Sequence, residues 1–190
     1  MTLCKQGDFI KEVIGNEYKS LTVHYVRQHE QKGLVDAFVQ ALKKINGNES
    51  VILQLSDEIF IDLNTEFIKS ELKEENFDFY CGVTPEENEQ KIKNNFSVET
   101  DSESLLVKCT EKPQVVTDDV KGTGFSIFSG ETQKIIKETC KSENNTLYDL
   151  CDCFNYLVTL EYRGLVFPVA KREFNINTIS DLTEVENYLK

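Results

Sequence analysis

Positive charge is scarce in this chain. Its 190 residues carry 21 Lys and Arg against 33 Asp and Glu, a formal net charge of −12. A nucleic-acid groove or a polybasic membrane contact needs clustered cations, so nucleic acid and membrane are excluded as partners. A small anionic ligand is not, because one Lys or a magnesium ion can hold it locally. Long apolar runs are missing as well. No stretch approaches eighteen apolar residues, so no transmembrane helix is expected. The opening MTLCKQGDFIKE lacks the apolar core of a secretory signal. No linker or low-complexity run divides the chain, so residues 1–190 read as one domain. Disorder is excluded by a hydrophobic content of 39% with 12 Phe and 7 Tyr.

The six cysteines, at 4, 81, 109, 140, 151 and 153, show neither a zinc knuckle nor a C-x-x-C redox turn. Cys81 and Cys109 lie in apolar runs that read as buried strands. Cys151 and Cys153 share a helical pattern, where residues two apart face different sides. Reduced, structural thiols in a cytoplasmic protein are the expectation.

Hydrophobic spacing predicts helices over residues 8–15, 33–42, 65–73, 85–93, 131–140, 146–162 and 181–189. Asp8 and Gly15 can cap the first at its two ends. Short apolar or β-branched runs predict strands over 22–27, 50–55, 77–83, 96–98, 105–109, 125–128, 165–169 and 173–177. Alternation at short loop lengths argues for one α/β domain around a mixed, mostly parallel sheet of Rossmann-like form with flanking helices. In such sheets ligands sit at the carboxyl ends of the strands.

Polar residues gather at those ends. Gln28 precedes Gly33 by five residues; the Gln can offer a donor and an acceptor to a base, and the Gly lets a planar ligand reach backbone amides. A plain loop with a capping glycine explains them equally. Asp57 ends the apolar run VILQLS, a common way to hold magnesium with phosphate oxygens, or else a turn or cap. Glu111-Lys112-Pro113 could bind sugar hydroxyls and a phosphate, or be an exposed turn. Gly122-Thr123-Gly124 permits close approach to a ligand or a bulge. Asn175 precedes Thr178, which with Asp181 has capping-box spacing.

Taken in order, these segments resemble the sugar-1-phosphate nucleotidyltransferases, which join a nucleoside triphosphate to a sugar 1-phosphate and release pyrophosphate. YVRQHEQKGLVDAF (25–38), VILQLSDEIF (51–60), VKCTEKP (107–113), GTGFSIFSGE (122–131), TLYDL (146–150) and FNINTISDL (174–182) carry the likeness. The first is closest to the glucose-1-phosphate uridylyl- and thymidylyltransferase branches. The resemblance implies that Gln28 and Gly33 read the base and that Asp57 and Asn175 hold Mg2+. It implies Glu111 on sugar hydroxyls, Lys112 as the catalytic cation on the sugar phosphate, and Gly124 packed on the sugar.

The chain departs from the pattern at Ser56, where Gly is usual, at Ser97, where Gly is common, and at Asn175, where many members have Asp. The family's opening strand and its G-x-G-T-R-L-x-P loop have no counterpart in the sequence. The expectation is therefore a nucleotidyltransferase-like domain incomplete at its N-terminus, using UTP or dTTP and a sugar such as glucose 1-phosphate, and impaired on its own. The alternative is a non-catalytic module that binds a nucleotide, a sugar phosphate or a partner subunit. That missing strand lies in mid-sheet in the family, so an altered strand order, a homo-oligomer, a complementing subunit or poor solubility is also expected.

Overall fold

The structure, a computed structural model, describes residues 2–3, 7–45, 48–74, 76–142 and 147–190. Strand β1 (Thr2–Leu3) precedes helix α1 (Gly7–Ile14), which Gly15 ends with φ at 73°. Asp8 does not cap α1; it lies in the first turn and pairs with Arg27 at 2.9 Å. The strand expected over 22–27 is broken. Residues β2 (Glu17–Tyr18) and β3 (Leu21–Thr22) fold on each other through Lys19 at φ 47°, and only β4 (Val26–Arg27) pairs onward, parallel with β1.

Helix α2 (Leu34–Leu42) buries Val35, Phe38, Val39 and Leu42 at helical spacing. Then come β5 (Val51–Leu53) and β6 (Glu58–Leu63). The sequence pattern missed β6, because its charged residues Glu58 and Asp62 mask a six-residue strand. Helix α3 (Thr65–Glu74) and strand β7 (Phe79–Pro85) follow. Helix α4 (Glu89–Lys93) is shorter than the 85–93 expected: Pro85 ends β7, and the Asn88 side chain accepts from Gln90 N at 2.9 Å and caps the helix late.

Strands β8 (Phe96–Thr100) and β9 (Leu106–Glu111) form a hairpin. Strand β10 (Val120–Phe128) contains Gly122-Thr123-Gly124, and its register against β7 shifts between Gly122 and Ser126, so the glycines form a bulge. Helix α5 (Gly130–Thr139) leads to α6 (Leu150–Thr159), where Asp149 and Asp152 make a capping box. Thr146, where α6 was expected to begin, lies outside the described residues. Strands β11 (Gly164–Pro168) and β12 (Ala170–Asn175) precede α7 (Ile179–Tyr188), capped reciprocally by Thr178 and Asp181 as the spacing requires.

The central sheet runs β11-β7-β10-β5. Strands β5, β7 and β11 share one direction, and β10 opposes them. Strand β12 pairs antiparallel with β6. The α/β class, mixed sheet and flanking helices match the expectation. The pairings themselves are more antiparallel than expected, because β10 inserts between β5 and β7 while β6–β12 and β8–β9 form antiparallel ribbons. Strand β5 ends the order, and β1–β4 is a separate parallel pair; among the described residues no strand covers the outer side of β5.

Alternation along β7 splits the core into two. Phe79, Cys81 and Val83 face α2, α5 and α6, where Phe79 stacks on Phe154 at 5.5 Å. Tyr80 faces the other way, with Ile127, Phe167 and Ile68. A period of two along a strand buried on both faces produces this division. Among the described residues, no helix is long and apolar enough to cross a membrane.

Candidate nucleotide and metal site

The loop from Gln28 to Gly33 is held from within. Gln28 Nε2 donates to Gly33 O at 3.1 Å and to Asp36 Oδ2 at 2.6 Å. Gly33 has φ at 94°, and a Cβ there would lie 2.6 Å from the carbonyl oxygen of Tyr148. Only glycine fits on both counts. The same carbonyl accepts from Val35 N at 3.2 Å, so the start of α2 is built against the segment entering α6.

Glu111 and Lys112 end the β8–β9 hairpin. Lys112 has φ at 47°, and its N–H donates to Asn95 O at 2.7 Å. Its Nζ lies 3.9 Å from Glu111 Oε1, with the two side chains 70% and 40% exposed. Partial burial raises the Glu111 carboxyl above its usual range, Asp149 adds to the rise, and Lys112 opposes it. The acidic mouth of α6 therefore sits beside both the Gln28 loop and Glu111.

The backbone brings Asp57, just before β6, beside the end of β12, where Asn175 lies. Asn175 is opposite Glu58 in the register, and Ile176 N donates to Asp57 O at 2.7 Å. Asn177 Nδ2 donates to Asn175 Oδ1 at 2.7 Å. Asp57 is exposed and Asn175 half-buried. Carboxylate and amide oxygens are of the hard type that magnesium takes, and magnesium binds through few protein ligands with the rest from water and phosphate. Among the described residues no group of three His, Cys, Asp or Glu could hold a metal by itself.

Gly124 is buried beside this pair. Its N–H donates to both oxygens of Glu58 at 2.8 Å each, and its carbonyl accepts from Leu55 N at 3.2 Å. A Cβ on Gly124 would lie 2.3 Å from Leu55 Cγ. The close approach expected for a sugar is thus taken by Leu55. At Gly122 the added Cβ would meet the Phe96 ring, which follows Asn95 and so sits next to Lys112. Strand β10 consequently joins the Asp57 patch to the Lys112 patch.

A family model described as nucleotidyl transferase matches residues 3–169. The chain belongs to the nucleotidyl transferase family. Solved structures agree on the fold. A Bacillus anthracis protein described as a glucose-1-phosphate thymidylyltransferase superposes with TM-score 0.83 at 15% identity, covering 98% of this chain and 74% of that one. A UDP-glucose pyrophosphorylase complexed with UDP-glucose reaches 0.73 at 17% identity, over 98% of this chain and 73% of the other. The inositol-1-phosphate CTP transferase from T. maritima reaches 0.73 at 16% identity, over 96% and 71%. No curated protein sequence matches the chain.

In this nucleotidyl transferase the sequence pattern missed three charged residues. Glu58, Lys121 and Glu173 are all buried. Lys121 Nζ pairs with Glu173 Oε2, while Glu173 Oε1 is buried without a hydrogen-bond partner. Burial, then Glu173, pushes the Glu58 carboxyl up to about 8; burial also raises that of Glu173, against the pull of Lys121. The available signal was Lys121 inside the otherwise uncharged VKGTGFSIF, read as lying outside the strand. A cavity of about 590 Å³ between Val83, Val98, Glu99, Asp119 and Val166 contains none of the expected site residues.

Proposed function

We propose that this nucleotidyl transferase transfers a nucleotidyl group from UTP or dTTP to a sugar 1-phosphate such as glucose 1-phosphate. The observation that supports the reading is the backbone pairing that sets Asp57, just before β6, beside the end of β12, where Asn175 lies; both are oxygen-bearing residues of the kind Mg2+ with a triphosphate takes. The neighbours of known structure include a UDP-glucose pyrophosphorylase and a glucose-1-phosphate thymidylyltransferase, which supports the substrate class by analogy.

Bound Mg2+ would supply charge neutralisation and a template for the phosphates. Asp57 and Asn175 would hold it. Gln28 and Gly33 would receive the base on the ledge built against Tyr148. Glu111 would accept hydrogen bonds from sugar hydroxyls, and Lys112 would neutralise the sugar phosphate as it attacks the α-phosphate in line. Gly124 would act from behind, fixing Leu55 and Glu58 on either side of Asp57. Such a transfer rests on positioning and electrostatics rather than on covalent help.

A non-catalytic binding module is the second reading, favoured by charge. Lys112 is the one cation among the seven candidate residues, against Asp57 and Glu111, with Asp149 nearby. Turnover by this chain is therefore slow. Pyrophosphate release with Mg2+, UTP or dTTP, and glucose 1-phosphate tests the enzyme. Titration with UDP-glucose tests the module. Binding without turnover selects the second reading, and neither signal removes both.

A further inference from the structure

The N-terminal turn of α6 and the end of β9 are joined through Cys109. Cys109 N donates to Asn155 Oδ1 at 2.8 Å, and Asn155 Nδ2 donates back to Cys109 O at 2.8 Å. This two-way grip fixes the backbone of Cys109 against the helix. One turn earlier on α6 stands Cys151, and its Sγ lies 2.6 Å from Cys109 Sγ. Both residues are buried, at 2% and 4% exposure. Two thiols clamped this way need only a small side-chain adjustment to reach the ~2.05 Å of a sulfur–sulfur bond. Cys153, two residues on, faces a different part of the helix surface and is near Cys140 instead.

We infer that Cys109 and Cys151 form an oxidation site that closes to a disulfide and rivets the Glu111–Lys112 strand to α6. The oxidant class is a small peroxide. One thiol sulfur attacks a peroxide oxygen; the O–O bond breaks, water leaves, and a sulfenic acid forms. The second sulfur then attacks the first, the S–O bond breaks, and a second water leaves. Two thiols and one hydrogen peroxide become one disulfide and two waters, each sulfur giving up one electron. Burial holds the Cys109 thiol far above its usual range, so the Cys109 sulfur is rarely a thiolate at neutral pH and its attack on the peroxide is slow. A small oxidant suits a buried pair because no bulky leaving group has to fit inside. The bond would link residues 42 apart in sequence and would join the helix carrying Tyr148 and Asp149 at its mouth to the strand carrying Glu111.

The test uses the whole reduced chain and does not depend on any catalytic activity. The protein is treated with hydrogen peroxide, its remaining thiols are alkylated after denaturation, and it is digested without reduction. Cleavage before aspartate separates Cys151 from Cys153, because Asp152 lies between them, and leaves Cys109 in the piece 101–117. The expected product is a reducible species joining 101–117 to 149–151, with two of the six thiols no longer alkylated. Oxidised protein should also melt at a higher temperature, and dithiothreitol should reverse the shift. Cys151→Ser should abolish the linked species and leave Cys109 alkylatable. Should that variant fail to fold, the wild-type digest alone decides. Six alkylatable thiols after peroxide, or a link from Cys109 to Cys81 or Cys153, overturns the inference.

Discussion

Both carboxylate oxygens of Glu58 accept the same backbone N–H, that of Gly124, at 2.8 Å each. Glu58 follows Asp57 directly, so this bond fixes the start of β6 to the bulge of β10 and sets where Asp57 stands. The carboxyl is buried, and its affinity for a proton rises in the fold to a pKa of about 8 from 4.5. A carboxyl raised in this way binds more protons folded than unfolded through that interval, so stability falls as pH rises. The contribution is full below about pH 4.5 and gone above about pH 8. Glu173 shifts in the same direction. Chemical denaturation across this range should show the decline, and Glu58→Gln should flatten it; an unchanged slope in the variant would assign the effect elsewhere.

Lys121 and Glu173 are a buried pair, with side chains 4% and 1% exposed. Lys121→Met leaves the buried Glu173 without its cation, beside the Glu58 carboxyl, and should cost about 3–5 kcal/mol. The double change Lys121→Met with Glu173→Leu should recover most of that loss. Urea unfolding of the four proteins measures the coupling; additive losses would mean that the pair does not act as a unit.

Gly33→Ala introduces a Cβ 2.6 Å from the Tyr148 carbonyl oxygen at a φ of 94°. A destabilisation of about 1–3 kcal/mol is expected, since both overpacking and backbone strain act. Loss of UDP-glucose binding by a variant that is still folded would place the ledge in the nucleotide site. Retained affinity would remove Gly33 from it.

Asn175→Asp places a charged oxygen donor where a neutral one stands. Mn2+ affinity, read by electron paramagnetic resonance, should rise by roughly tenfold, about 1.4 kcal/mol, and Asp57→Ala should lower it. Metal affinity indifferent to both changes would contradict the pairing of these residues in a metal site.

Lys112→Ala should leave stability within about 0.5 kcal/mol, because the side chain is 70% exposed and its contact with Glu111 is 3.9 Å. Binding of glucose 1-phosphate, measured calorimetrically, should weaken, while binding of UMP should not.

The elements legible in the sequence were those whose pattern is local. Gly33, Leu34, Phe38 and Leu42 mark α2 by spacing alone, and Thr178 with Asp181 mark the start of α7 by reciprocal capping. The segments that hold Gln28, Asp57, Glu111, Lys112, Gly124 and Asn175 likewise carry the resemblance to the family in their sequence and order alone. Local pattern could not decide which strands pair. Residues 22–27 have strand propensity throughout, yet the turn at Lys19 takes Leu21 and Thr22 into a hairpin with Glu17 and Tyr18. Strand β6 exists because β12 lies beside it, not because EIFIDL announces it. Burial of charge was equally hidden. Nothing local in the sequence marks Lys121, Glu58 and Glu173 as buried, and they are tolerated inside only because three strands distant in sequence bring Lys121 to Glu173 and Gly124 N–H to Glu58. The cost of burying a charge depends on partners supplied by other strands, and those partners exist only once the chain has folded.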